Sequence, residues 1–181
     1  MHIVGGRFKG HPLFFAGNPK VRPMTQMVRE AIFNILQGRI VGDRVLDLFC
    51  GSGGVGLEAL SRGAKFVDFV DLNPAMTRRN VEKLGVQEET RVFRMDVFKA
   101  QAQLASEGSQ YDFLFVGAPY EYPKTDEVIA KLDELNLMAP GGVLMVEHRS
   151  NRTFASEYEH FTEHKVHTYG QTIITRYQAK E

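Results

Sequence analysis

The stretch Val45-Leu46-Asp47-Leu48-Phe49-Cys50-Gly51-Ser52-Gly53-Gly54-Val55-Gly56 holds the residue types and spacing best suited to chemistry. Glycines let the backbone approach a ligand closely, and a helix beginning behind them turns its unpaired N–H groups toward it. Gly51-x-Gly53-x-x-Gly56 matches the dinucleotide fingerprint in form, and Asp71 lies twenty residues beyond Gly51, where a ribose-binding acid belongs. Asp47 argues for a different ligand. It stands at the end of the strand before the glycines, where a dinucleotide strand stays apolar beneath the pyrophosphate. S-adenosylmethionine has no phosphate but carries an ammonium and a sulfonium, and a carboxylate beside the turn suits that charge on Coulomb grounds. Asp71 can then accept from the ribose hydroxyls, and Asp96, following a third strand, from the adenine amine. Three acids closing three successive strands form a constellation that the glycines alone do not.

The elements that must position these acids follow from hydrophobic rhythm. Residues 2–22 alternate short apolar pieces with Gly, Lys, His and Pro and read as a small hairpin or basic arm. A helix follows, with Thr25 as N-cap, an apolar stripe of Val28, Ile32, Ile35 and Leu36, and Gly38 as its stop; Arg29 and Asn34 fall off that stripe. Strands are expected over 44–49, 66–71, 91–95, 111–116 and 143–147, with helices over 54–62, 97–105 and 124–135 between them. Another helix begins after Asn73, with Pro74 at its first position. The tail offers two β-like runs, 162–168 and 172–177, joined around Tyr169-Gly170. This pattern implies an α/β fold, a parallel sheet covered on both faces with an antiparallel edge.

The 181 residues carry 22 basic and 22 acidic side chains, a neutral total that hides an uneven distribution. Residues 1–40 hold Arg7, Lys9, Lys20, Arg22, Arg29 and Arg39 against Glu30 alone, a balance of +5, so the remainder carries −5. The basic segment precedes the ligand-binding body and suits phosphate contacts. One Cys rules out an internal disulfide framework and points to a reducing compartment, the cytoplasm. No apolar run reaches membrane-spanning length, and no signal-peptide core is present. Cys50 reads as a packing residue rather than a thiol nucleophile, and His148 as structural. His164 and His167 fall on opposite faces of one strand, so no metal site is expected.

The chain resembles the RsmD family of small-subunit (16S) rRNA guanine-N2 methyltransferases, within the class I S-adenosylmethionine-dependent methyltransferases. The likeness rests on Arg22-Pro23-Met24-Thr25 leading into Val28-Arg29-Glu30-Ala31-Ile32-Phe33-Asn34-Ile35-Leu36, and on Asp47-Leu48-Phe49-Cys50-Gly51-Ser52-Gly53. Leu57-Glu58-Ala59-Leu60-Ser61-Arg62-Gly63-Ala64, Ala139-Pro140-Gly141-Gly142 and Glu147-His148 complete it. The resemblance implies a Rossmann-like, seven-stranded, mostly parallel sheet with an antiparallel C-terminal strand, split into an arm (1–22) and a methyltransferase domain (23–181). It implies cofactor contacts at Asp47, Phe49, Gly51, Ser52, Gly53, Asp71, Leu72, Asp96 and Val97, and RNA contacts at Arg7, Lys9, Lys20, Arg22 and Arg29. A monomer acting on 16S rRNA or a small-subunit particle, with no membrane or metal partner, is the expected form.

The chain departs from the family where the acceptor base should bind. Such enzymes carry Asp-Pro-Pro-Tyr or a close variant after the fourth strand; here the residues are Gly117-Ala118-Pro119-Tyr120. An aromatic amine is a poor nucleophile because its lone pair is delocalised, so the site must accept hydrogen bonds from the NH2 group. Gly117 removes one acceptor, while the Ala118 carbonyl and the Tyr120 ring remain for the amine and for stacking on a flipped base. Three consequences stay open: a water or a neighbour such as Glu121 substitutes, the enzyme is slow, or the chain binds cofactor and RNA without turnover. Gly117→Asp is expected to raise the rate if the lost acceptor limits it. An NAD-dependent oxidoreductase is the remote alternative.

Overall fold

The computed structural model describes residues 1–15 and 24–181. These hold five α-helices and seven strands, and the strands form one mixed sheet. The strands are β1 (Arg44–Leu48), β2 (Phe66–Asp71), β3 (Thr90–Arg94), β4 (Tyr111–Val116), β5 (Met138–Arg149), β6 (Phe161–Tyr169) and β7 (Thr172–Ala179). The helices are α1 (Gln26–Leu36), α2 (Gly54–Ser61), α3 (Ala75–Leu84), α4 (Val97–Ser106) and α5 (Thr125–Glu134). The sheet order is β3-β2-β1-β4-β5-β7-β6, parallel from β3 to β5, with β7 antiparallel to both β5 and β6. The order in which successive strands are added reverses between β1 and β4, and the crevice at such a switch point is where open α/β sheets bind ligands.

Side-chain alternation along the strands divides the core in two. Val45, Val67, Phe69, Phe113, Phe115, Val143 and Met145 face α1, α2 and the arm. Leu46, Leu48, Val70, Leu114, Val116, Leu144 and Val146 face α4 and α5. The arm is fastened to the first layer rather than standing apart. Ile3 and Leu13 are buried in that core, and the fully buried Glu58 carboxylate of α2 accepts from the backbone of Val4 and Gly5 at 2.9 Å each. The boundary expected at residues 22 and 23 lies outside the described residues.

Element limits shift where backbone geometry overrides pattern. β5 starts at Met138, five residues before the apolar run, because Pro140-Gly141-Gly142 form an irregularity inside the strand, with Gly141 at φ 74°. Pro74 becomes the N-cap of α3 instead of its first helical residue. Gln37, at φ 48°, takes the left-handed C-cap of α1 one residue ahead of Gly38. Thr25 caps α1 as its side chain predicts, accepting from the Val28 N–H at 3.3 Å.

Candidate active site

After β1 the chain climbs through three left-handed residues, Phe49 (φ 61°), Gly51 (φ 56°) and Gly53 (φ 83°), before α2 begins. Glycine takes that conformation freely, whereas at Phe49 it costs about 1–2 kcal/mol. Contacts from behind hold the turn. Thr77 of α3 donates to the Gly51 carbonyl at 2.8 Å. Asn80, also on α3, donates to the Ser52 carbonyl at 2.8 Å and clasps the backbone of Phe14 through both its amide atoms. Both α3 side chains are fully buried. Neither was singled out from the sequence; their i, i+3 spacing on the packed face of α3 was the available signal.

The three acids stand at the ends of three adjacent strands and are held in different ways. Asp71 is oriented by two backbone donors, Gly51 N to Oδ2 and Asn73 N to Oδ1, each at 2.9 Å, and both oxygens keep a lone pair to offer. Asp96 caps α4, its Oδ1 accepting from Phe98 N at 3.0 Å and Lys99 N at 3.3 Å, which leaves Oδ2 clear of those bonds. Asp47 lies beneath the turn, 2% exposed, and accepts from Gly56 N at 3.1 Å. Burial pushes its carboxyl up to about 7, the Gly56 N–H opposing the shift and the charge of Asp71 adding to it. Leu72 is 69% exposed at the end of β2, an apolar surface suited to covering a heterocycle. Val97 is buried against the second core layer, so only its backbone N–H at the first turn of α4 can serve a ligand.

At the switch point the Gly117 N–H donates to the Leu48 carbonyl at 3.2 Å, extending the β1–β4 ladder by one rung. A Cβ added at Gly117 would sit 2.7 Å from the ring carbon Cε1 of buried Phe115, closer than real side chains approach. Ala118 is buried, and the Pro119 carbonyl accepts from Tyr122 N at 2.9 Å to close the turn. The Tyr120 hydroxyl donates to Glu147 Oε1 at 2.7 Å, and the Arg149 guanidinium lies 4.4 Å from the Tyr120 ring centre. Arg149 therefore covers one face of the half-buried Tyr120 ring. Burial raises the Glu147 carboxyl, with the Tyr120 hydroxyl opposing it.

The expected RNA contacts do not stay together. Arg29 is 1% exposed: its Nε lies 3.3 Å from buried Glu58, and Nη2 donates to the His2 carbonyl. The structure thus corrects its assignment to RNA, because the arm and α2 cover a second side of α1 and turn an off-stripe position inward. Arg7 pairs with Glu89 at 2.6 Å, and Lys9 is exposed. Lys20 and Arg22 lie outside the described residues. Near Phe14 two cations not singled out from the sequence gather on α3. Arg79 sits 4.0 Å and Lys83 4.8 Å from its ring centre.

Two set-aside residues behave as packing groups. Cys50 is buried with its thiol pushed well up by burial and held 3.3 Å from Thr77 Oγ1. His148 is buried, with Nε2 2.7 Å from Thr175 Oγ1 and its ring edge-on to Phe154.

Residues 1–178 match the model of a family described as conserved hypothetical protein 95. A Bacillus subtilis protein, YlbH, provisionally named an rRNA methyltransferase, is 30% identical over 99% of this chain and 100% of its own length. Ribosomal RNA small subunit methyltransferase D of Escherichia coli is 29% identical over 98% of this chain and 89% of its own. The solved structure of Escherichia coli yhhF, provisionally described as a methyltransferase, superposes with a TM-score of 0.82 at 30% identity, covering 99% of this chain and 98% of that one.

Proposed function

The chain belongs to the RsmD family, described as conserved hypothetical protein 95, and on that premise we propose that it methylates the exocyclic N2 amine of a guanine in 16S rRNA, using S-adenosylmethionine. The observation that carries this reading is the carboxylate set Asp47, Asp71 and Asp96 at the ends of three adjacent strands, with Asp71 bonded to the glycine turn and Asp47 to the start of the helix behind it. The residues fit the donor. Asp71 retains lone pairs for ribose hydroxyls, exposed Leu72 offers apolar cover for adenine, and Asp47 supplies negative charge beneath the amino-acid moiety. Bound there, S-adenosylmethionine supplies an electrophilic methyl group on sulfur. The Ala118 carbonyl and the Tyr120 ring receive the flipped base, as the four-residue turn after β4 suggests.

We assign the RNA-facing surface to the arm and the adjoining side of α3. Lys9, Arg78, Arg79 and Lys83 have no carboxylate partner among the described residues, which leaves their charge available to phosphates. A radiolabelled methyl group followed into naked 16S rRNA and into assembled small subunits, with nucleoside analysis, tests base and substrate together. N2-methylguanosine is the expected product. Intact binding of S-adenosylhomocysteine with no incorporation would support the binder without turnover, and stabilisation by NAD instead would support the oxidoreductase.

A further inference from the structure

We infer that Glu147 is the carboxylate that receives the acceptor amine, in place of the acid missing at position 117. The inference deepens the methyl-transfer reading above and rests on it. Its first support is register. Val116 of β4 pairs with Val146 of β5 in parallel, so Gly117 and Glu147 are the next residues of adjacent strands. Phe113, Phe115, Val143 and Met145 point into the same core layer, and alternation sends 117 and 147 the same way, to the side where Asp47 meets α2. A carboxylate one strand over thus reaches the space that an acid at 117 would have served.

The second support is the packing at Gly117. The Phe115 ring edge stands 2.7 Å from the place of a Cβ there, so this chain has filled the position of the absent side chain with aromatic surface. An acceptor must come from elsewhere. Glu121, the candidate nearest in sequence, is exposed within the turn closed by Pro119 and Tyr122.

The third support is how Glu147 is held. Its Oε1 accepts from Tyr120, whose ring is assigned to the base, and its Oε2 makes no hydrogen bond to any described residue. One oxygen is fixed and the other is offered beside the stacking residue, as an orienting acceptor requires. In the step itself the amine nitrogen gains the methyl carbon while sulfur keeps the electron pair of the broken S–C bond. The nitrogen then sheds one proton to the Glu147 carboxylate, which returns it to water, so charge and atoms balance.

The test compares full-length wild type, Glu147→Gln and Tyr120→Phe for kcat and KM on 16S rRNA. Affinity for S-adenosylhomocysteine, affinity for the rRNA and melting temperature are measured alongside. Glu147→Gln is expected to lower kcat by about 50-fold or more while both affinities stay within about threefold. Tyr120→Phe keeps the ring and removes only the hydroxyl, so its expected loss is below about fivefold. Equal losses in the two variants would mean that Glu147 merely holds Tyr120, and would overturn the proposal; so would wild-type kcat in Glu147→Gln. If the amide variant does not fold, Glu147→Asp retains the charge one methylene further back. It is expected to lose kcat alone, and a matching loss of rRNA affinity would count against the role. Wild-type protein that binds both ligands and transfers nothing overturns the methyl-transfer reading itself, and Glu147's part with it.

Discussion

The two halves of the cleft are built from different kinds of bond. At the ends of β1, β2 and β3 every carboxylate is fixed by backbone N–H groups: Gly56 on Asp47, Gly51 and Asn73 on Asp71, Phe98 and Lys99 on Asp96. At the ends of β4 and β5 the contacts run between side chains far apart in sequence: Tyr120 to Glu147, Arg149 over Tyr120, Arg149 to Gln171. The first half is preorganised by backbone bonds, so its geometry comes with the fold. The second half rests on a few side chains that can be altered without disturbing the backbone. Substitutions in the first should therefore change ligand affinity and stability together, and those in the second should change turnover alone.

The largest expected effect lies in the first half. Asp71→Ala removes the proposed ribose acceptor and the carboxylate that holds the Gly51 and Asn73 N–H groups, and should weaken S-adenosylhomocysteine binding about 100-fold by calorimetry, with a lowered melting temperature. Lost affinity at unchanged stability would break the distinction. Next comes Gly117→Asp, where the second half meets its exception. The Cβ must displace the Phe115 ring, so this variant should lose about 1–3 kcal/mol in chemical denaturation before any gain in rate can register. Combining it with Phe115→Leu should recover part of that loss. Gly117→Asp at full stability would show that the ring yields freely.

That contrast also explains what could be read from the chain alone. The alternation of elements and the sheet with its antiparallel edge were legible from local pattern, and each of the three acids stands at or within two residues of the end of its own strand, bonded to backbone nearby in sequence. β2 and β4 begin and end where the pattern puts them. Glu147 could not be assigned, because its neighbourhood with Gly117 depends on strand register across thirty residues. Arg29 was misread for a related reason: helical periodicity reports one buried stripe, and the arm buries a second side of α1. Asn80 binds residues 28 and 66 positions away, beyond what local spacing can show.

A smaller effect should separate RNA binding from both halves. Arg79 and Lys83 flank Phe14 and meet no carboxylate among the described residues, so replacing both with Ala should weaken rRNA binding about 5- to 20-fold. The slope of log affinity against log salt should become shallower by about 1.4 if each cation neutralises one phosphate of a single strand. S-adenosylhomocysteine affinity should hold, because Asn80 rather than these cations ties the arm to the turn.

The smallest effect concerns Asp47, where the first half makes binding and stability oppose one another. Its carboxyl stands at about 7 in the folded protein against an ordinary 3.8, so the folded state holds its proton more tightly than the unfolded chain. Stability from this group is therefore greatest below pH 4, falls as pH rises through the window from about 4 to 7, and is fully lost above it. Asp47→Asn keeps an acceptor for the Gly56 N–H and removes the buried charge. It should raise the stability of the ligand-free protein at pH 8 on the order of 1 kcal/mol, and by less near pH 5. The ammonium of an amino-acid moiety bound as proposed above the turn has the opposite preference, since it favours the ionised carboxylate and its binding releases a proton. Wild-type affinity for S-adenosylhomocysteine should thus climb as pH rises toward 7, while the Asn variant binds more weakly and with a flatter profile. Parallel pH profiles in the two proteins would remove Asp47 from the binding half and leave Asp71 to carry it.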